Sequence, residues 1–469
     1  MKTLYKIGMV SLTAAIMTSC VVGKKYSRTD LQSPEKFREE VSVTGDTVLL
    51  PWKTYYKDPM LAALIEKALV KNNEVIIAMK SMEQLDLSYK QAKLSLLPTL
   101  DFDAGASRSY QSKNSLNGSL SAQFIGKDYM DDYSANLRLS WELDIWGKAA
   151  MQKRDAKAAY FAQKENLSAL KTRIIVQVAQ AYYNLLALDE QLKIAEKNIE
   201  LSNSTLEMTQ LQYNSGSVSS LAVSQTEAQK KTAELLVPLA KANIAVQENA
   251  LQILCGEYPD SIARAGNLND DELNVALPVG IPVSLLSRRP DVKASEYAVM
   301  SATAKTGLSK AAMYPTLSLN PSIGVNSFEF DKWFDFPGSV TKTIAANLAQ
   351  PIFRKKALRT SYEVAVLEQE KAVVQFKQSF ITAVGEVNDA MSRLKYADER
   401  IILAKEKAAS LEKATNDASL LYKSGMANYL EVITAQNSSL QNELDVVTIK
   451  LEKLNASINL YRALGGGTE

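Results

Sequence analysis

The chain of 469 residues contains no histidine. That removes the commonest general base, the usual nitrogen ligand of zinc and every histidine-dependent catalytic triad. Only two cysteines occur, Cys20 and Cys255, so there is no disulfide framework. Glycine and proline are scarce, at 19 and 13, while Ala, Leu, Lys, Gln and Glu abound, a bias that favours long helices. Neither sign of charge prevails: 54 basic against 52 acidic residues leave a net +2, and no basic footprint for nucleic acid is present. Beyond the N-terminus no apolar run reaches 18 residues, which excludes a helix crossing a bilayer. A membrane role therefore has to come from strands. Acidic neighbours such as Asp131 with Asp132, or Asp270 with Asp271 and Glu272, lie in polar loops and read as solvated turns. No metal-ligand set, cofactor motif or enzyme chemistry is expected; the terminal glycines follow a helix and open no phosphate loop.

The first residues, "MKTLYKIGMVSLTAAIMTSC", place Lys2 and Lys6 ahead of an apolar run from Ile7 to Met17. That is the layout of an export signal, residues 1–19, with small residues before Cys20 as in a bacterial lipobox. Acyl chains on Cys20 would anchor the mature chain through segment 20–57, each buried methylene adding about 0.8 kcal/mol. Cys255 reads as a small buried residue.

Two copies of one plan follow. Leu185, Leu188, Leu192, Ala195, Ile199, Ser202, Leu206, Thr209 and Tyr213 step by alternating threes and fours, and the same steps recur 209 residues later (394 − 185 = 209) from Leu394 to Tyr422. Such steps mark a coiled-coil seam, and its many Ala, Ser and Thr permit close helix approach. Gly147 to Tyr213 is 67 residues and Phe353 to Tyr422 is 70, or roughly 100 Å of helix each at the standard rise. Both end in Tyr-x-Ser-Gly, after which the helical pattern resumes. Gly216 and Gly425 thus fit C-caps at the tips of two antiparallel hairpins. The second return helix is expected to keep its seam at Leu430, Ile433, Asn437, Leu440, Leu444, Val447, Leu451, Leu454 and Ile458 before stopping at "GGG"; the first has Pro238 as an expected kink. Residues 255–281 read as a connecting segment, and one helix is expected over about 282–313.

Four segments alternate with period two. In "YSANLRLSWELDI", Tyr133, Ala135, Leu137, Leu139, Trp141, Leu143 and Ile145 face one way and polar residues the other; "TLDFDAGAS" does the same, and "TLSLNPSIGVN" and "TIAANLAQPI" follow more weakly. Their lengths suit a transmembrane barrel with one lipid face and one lumen face. Four strands cannot close a barrel, and an open edge is forbidden in lipid, so the chain must oligomerise. Three copies would give twelve strands and room for a lumen, with Asp101, Asp103, Glu142 and Asp144 facing it.

The lipobox, the "PTL" openings at Pro98 and Pro315, "WELDIWGK", "SRRPD" and both glycine tips together resemble the TolC family of outer-membrane efflux ducts, in particular its lipoprotein branch serving resistance-nodulation-division pumps. The resemblance covers essentially the whole mature chain. It implies a mainly α protein with a transmembrane β-barrel: a homotrimer whose twelve-stranded barrel (residues 98–146 and 315–352, four strands per chain) continues into a periplasmic helical tunnel (58–97, 147–254, 282–313 and 353–464). Its expected partners are a membrane-fusion adaptor, an inner-membrane pump and outer-membrane lipids; nucleic acid is not among them, and the only bound group expected is the covalent lipid on Cys20. The implied gate lies at the tips. Carried over by position, it falls on Leu430, Glu431 and Thr434 in the second hairpin, with Leu221 and Ala222 in the first. Three Leu430 side chains would form an apolar plug and three Glu431 carboxylates a cation-attracting ring. This chain departs from the pattern in lacking charge at Thr434, Ala222 and Ala427, so closure is expected to be hydrophobic. Exposed candidates for docking the adaptor are Gly216, Ser217, Gly425, Met426, Asn428 and Tyr429. The competing reading is a periplasmic coiled-coil lipoprotein, an adaptor or tether without a pore, for which the strands would have no use.

Overall fold

The structure is a computed structural model and describes residues 22–28, 30–38, 51–112, 114–116, 119, 123, 127, 129–264, 268 and 282–467. Cys20 and the acidic run at 270–272 lie outside them. The chain forms two compact units, one of Met1–Thr29, Gln84–Phe161 and Glu296–Val374, the other of Asp30–Glu83, Ala162–Ser295 and Gln375–Glu469. In chain order the elements are α1 (Trp52–Tyr55), α2 (Pro59–Lys71), α3 (Asn73–Lys93), β1 (Thr99–Ser109), β2 (Met130–Glu142), α4 (Lys148–Asn214), α5 (Ser220–Leu254), α6 (Leu285–Arg288), α7 (Pro290–Ala311), β3 (Thr316–Leu319), β4 (Ser322–Ser327), β5 (Val340–Thr343), β6 (Ala346–Ala349), α8 (Ala357–Lys423) and α9 (Tyr429–Ala463).

The first unit holds the sheet. β1 pairs antiparallel with β2, whose other edge pairs with β4 and β3; β5 and β6 pair with these in turn. Two of the expected long strands are therefore each interrupted once, and the last begins three residues earlier than its sequence pattern suggests. Pro321, between β3 and β4, has no N–H to give to the ladder. The rows stay bonded across the break, with Asn320 N donating to Ala345 O at 2.8 Å and Leu139 N to Pro321 O at 3.0 Å. The register aligns the apolar sets: Leu100 faces Leu139, Phe102 faces Leu137, and Ala104 faces Ala135, while Leu137 meets Ile323 and Leu317 meets Leu348. The expected two-faced alternation is thus present as one apolar and one polar surface.

Trp146 locks the foot of this sheet, donating from Nε1 to Pro315 O at 2.6 Å with its ring 4.9 Å from Tyr314. Asp144 accepts from the N–H groups of Ala149 and Ala150 at 2.9 and 3.1 Å. It caps α4 rather than standing free in a lumen. Glu142 is likewise engaged, by Lys148 at 3.0 Å, and Asp103 by Arg138 at 3.2 Å.

The second unit is helical. Its core stacks Tyr55 on Tyr461 at 4.1 Å and buries Tyr182, whose hydroxyl reaches Asp58 at 2.5 Å. The expected single helix over 282–313 is divided: after a 3₁₀ turn and α6, Arg289 is extended at ψ 120° before α7 opens on Pro290. A residue preceding proline is driven out of helical geometry, which explains the break. Pro238 sits inside α5, which runs unbroken from Ser220 to Leu254.

Candidate functional site: the paired hairpin tips

Both long helices, α4 and α8, are 67 residues, and both end in the expected turn. Gly216 and Gly425 adopt φ of +76° and +73°, a region open to glycine at little cost. Each turn closes with the Schellman pattern. Ser217 N donates to Gln212 O at 2.8 Å in the first, and Met426 N to Leu421 O at 2.9 Å in the second. Asn428 then caps α9 by accepting from Glu431 N at 3.2 Å and donates to its carboxylate at 3.3 Å. Ser219, the matching residue of the first tip, makes no side-chain cap. Asn428, singled out for docking, thus already has a structural task.

The two hairpins of the chain are tied together near their tips by neutral groups. Thr209 and Tyr422 share a hydroxyl hydrogen bond at 3.0 Å, and Gln212 Nε2 donates to Tyr422 O at 3.0 Å. Gln436 donates to Thr205 at 2.9 Å and Gln229 to Asn437 at 2.5 Å, while the Tyr429 hydroxyl bonds Gln225. Lys197 and Glu443, further up the helices, pair at 3.3 Å. Asn437 was placed in the seam by its spacing, whereas Gln212, Gln225, Gln229 and Gln436 were not singled out; glutamines recurring beside the leucine positions were the available signal.

Leu430, placed in the seam by its spacing, is 57% exposed. The buried stripe at the start of α9 instead runs through Val432, Gln436 and Asn442. Asn442 earns its place by donating to Ala404 O at 3.2 Å. Glu431, Thr434 and Leu221 are exposed, whereas Ala222 is buried and packs within the bundle. Gly216, Ser217, Gly425 and Met426 are exposed and Tyr429 is half-buried. The structure thus brings Leu430, Glu431 and Thr434 onto one exposed end of α9, whereas Ala222 is buried.

A sequence profile described as "outer membrane efflux protein" matches residues 64–257 and 281–466. The chain belongs to the outer membrane efflux protein family. Among similar proteins, the cation efflux system protein CusC of Escherichia coli O6:H1 is 27% identical over 460 residues, covering 97% of each chain. The probable outer membrane lipoprotein SilC of Salmonella typhimurium is 25% identical over 473 residues, covering 99% of each. The open-state structure of the Neisseria gonorrhoeae MtrE outer membrane channel superposes with a TM-score of 0.84 at 26% identity, over 96% of this chain and 99% of that one. Family membership decides for an outer-membrane efflux channel and against a tether without a pore. At the loop end of the sheet Tyr133 meets Phe330 at 5.4 Å and Trp333 at 5.7 Å.

Proposed function

We propose that three copies of this chain form one duct, the outer-membrane part of a tripartite efflux pump, anchored by lipid on Cys20. The observation that carries this reading is the sheet. Its rows end on β1 and on β5 with β6, and no further strand pairs with either edge among the described residues. Its apolar surface is bare, with Phe102 68% and Leu348 72% exposed. Unpaired edges in lipid cost several kcal/mol per backbone group, so identical neighbours complete the wall. Exposed apolar seams on helices support the same reading: Leu235, Leu239, Val246 and Ile253 along α5, and Val364, Leu367, Val374 and Ile381 along α8, recur at heptad-like spacing and are each more than half exposed.

The tips supply the gate. Leu430 closes the duct by apolar contact, Glu431 sets cation preference, and Thr434 and Leu221 line the same constriction; Ala222 serves only to let the helices approach. A periplasmic adaptor docks on Gly216, Ser217, Gly425, Met426 and the adjoining Asn428 and Tyr429, linking the duct to an inner-membrane resistance-nodulation-division pump. Single-channel recording tests the gate. Leu430→Ser is expected to raise conductance severalfold with Glu431-dependent cation preference retained, whereas unchanged current would remove Leu430 from the constriction.

A further inference from the structure

The first unit contains a cavity of about 360 Å³ between α4, α7 and an N-terminal strap, residues 22–28. Its walls are apolar, formed chiefly by Met151, Phe161 and Met300, and its rim carries three cations, Lys24, Arg154 and Lys157, with no carboxylate among the lining side chains. Two acids adjacent in sequence to lining residues are already occupied. Glu296 accepts from the Tyr26 hydroxyl at 2.9 Å and from Arg28 at 2.6 and 2.8 Å, and Asp155 takes a hydrogen bond from Ser301 at 2.5 Å and faces Lys305 at 3.9 Å. Lys157 stands 5.8 Å from the Phe161 ring, which holds its ammonium at the cavity. The strap that closes one side is fixed in place, with Val22 N donating to Trp146 O at 3.3 Å.

Cations are usually dispersed among acids on a mixed-charge surface, and here three meet over an apolar hollow large enough for a small ligand. We infer that this cavity binds a single-chain anionic amphiphile, its alkyl tail against Met151, Phe161 and Met300 and its carboxylate, sulfate or phosphate head on Lys24, Arg154 and Lys157. Apolar walls give affinity without direction, and the cationic rim selects the sign of the head group. The site begins one turn into α4, so it lies just below the sheet within the same unit. There it meets lipid-derived anions at the membrane's edge.

Isothermal titration of the full chain, purified in a non-ionic detergent, tests this with three probes: dodecanoate, lysophosphatidylglycerol and dodecyltrimethylammonium. Saturable binding of one anionic probe per chain is expected, at least tenfold weaker in Arg154→Glu and in Lys157→Glu, both at exposed positions. The tighter of the two anions identifies the source, a free fatty acid or a lysolipid. Equal binding of the ammonium probe, unchanged affinity in both charge reversals, or only non-saturable partitioning would each overturn the assignment.

Discussion

Arg289 shows how one side chain can hold three helices. It is buried, makes paired bonds to Asp291 at 3.0 and 2.5 Å, and reaches Glu386 on α8 at 2.6 Å, which Arg462 near the end of α9 also approaches at 3.1 Å. Burial pushes the Asp291 carboxyl upward, but the Arg289 guanidinium outweighs it and holds it below the usual aspartate range. The stability this contributes is complete above the unfolded aspartate value near 4 and is lost as pH falls through the lower folded value. Arg289→Met should therefore cost roughly 1–3 kcal/mol, less than for a fully buried pair because Asp291 and Glu386 are part-exposed. It should also flatten the acid limb of a urea midpoint measured against pH; an unaltered limb would mean the network is inert. Cys255 is the opposite case, a group made silent by its surroundings. Burial pushes its thiol up to about 11, leaving about a thousandth as thiolate at pH 8. Iodoacetamide should spare it in the folded protein and label it in urea, and rapid labelling without denaturant would show the site to be open. Its character as a small buried residue was legible from composition alone, whereas the Arg289 network was not: "SRRPD" announces a helix start, but its acidic partner 97 residues away appears only in three dimensions.

At the scale of elements, periodicity gave the long helices and both tips almost to the residue, because apolar recurrence and glycine caps are local signals. It failed where the two halves of the repeat diverge. Tyr213 and Tyr422 occupy equivalent positions 209 apart, yet Tyr213 is 47% exposed and Tyr422 is 2% exposed. The difference arises because Thr209 meets the Tyr422 hydroxyl while the residue at the equivalent place in the second half is Ala418, which offers no hydrogen bond. The breaks at Pro321 and Arg289 follow from backbone rules that a period-two or helical pattern overlooks. The neutral ties between hairpins have a testable energy. Tyr422→Phe and Thr209→Val each remove the same hydroxyl bond and should each loosen the tip by about 1 kcal/mol. The double variant should add little to either. Single-channel recordings that show a higher open fraction in both single variants, without additive gain in the double, would match this; strict additivity would place the two hydroxyls in separate contacts.

The whole molecule is defined by what its sheet lacks. Alternation of apolar and polar residues was readable in the sequence, as was the impossibility of closing a barrel from one chain's rows. The aligned register and the way Pro321 divides a row were not, since joining β2 to β3 and β4 pairs residues 176 to 194 positions apart (318 − 142 = 176; 327 − 133 = 194). The exposed seams on α5 and α8 were hidden for a related reason: a sequence pattern reports that a helix has an apolar stripe, but whether that stripe is satisfied within the chain or left for a neighbour is decided by packing. Sheet edges and helix seams both point to the same remedy, further copies of the chain. The most direct measurement is disulfide trapping in membranes, with one cysteine placed along β1 and a second, in turn, along β5 and β6 of the same chain. Because Cys255 is buried, the new thiols would report the edges alone. Bands of two and three linked chains, with nothing larger, are expected for at least one pairing; a chain that stays single across the whole panel would contradict a wall built from identical neighbours.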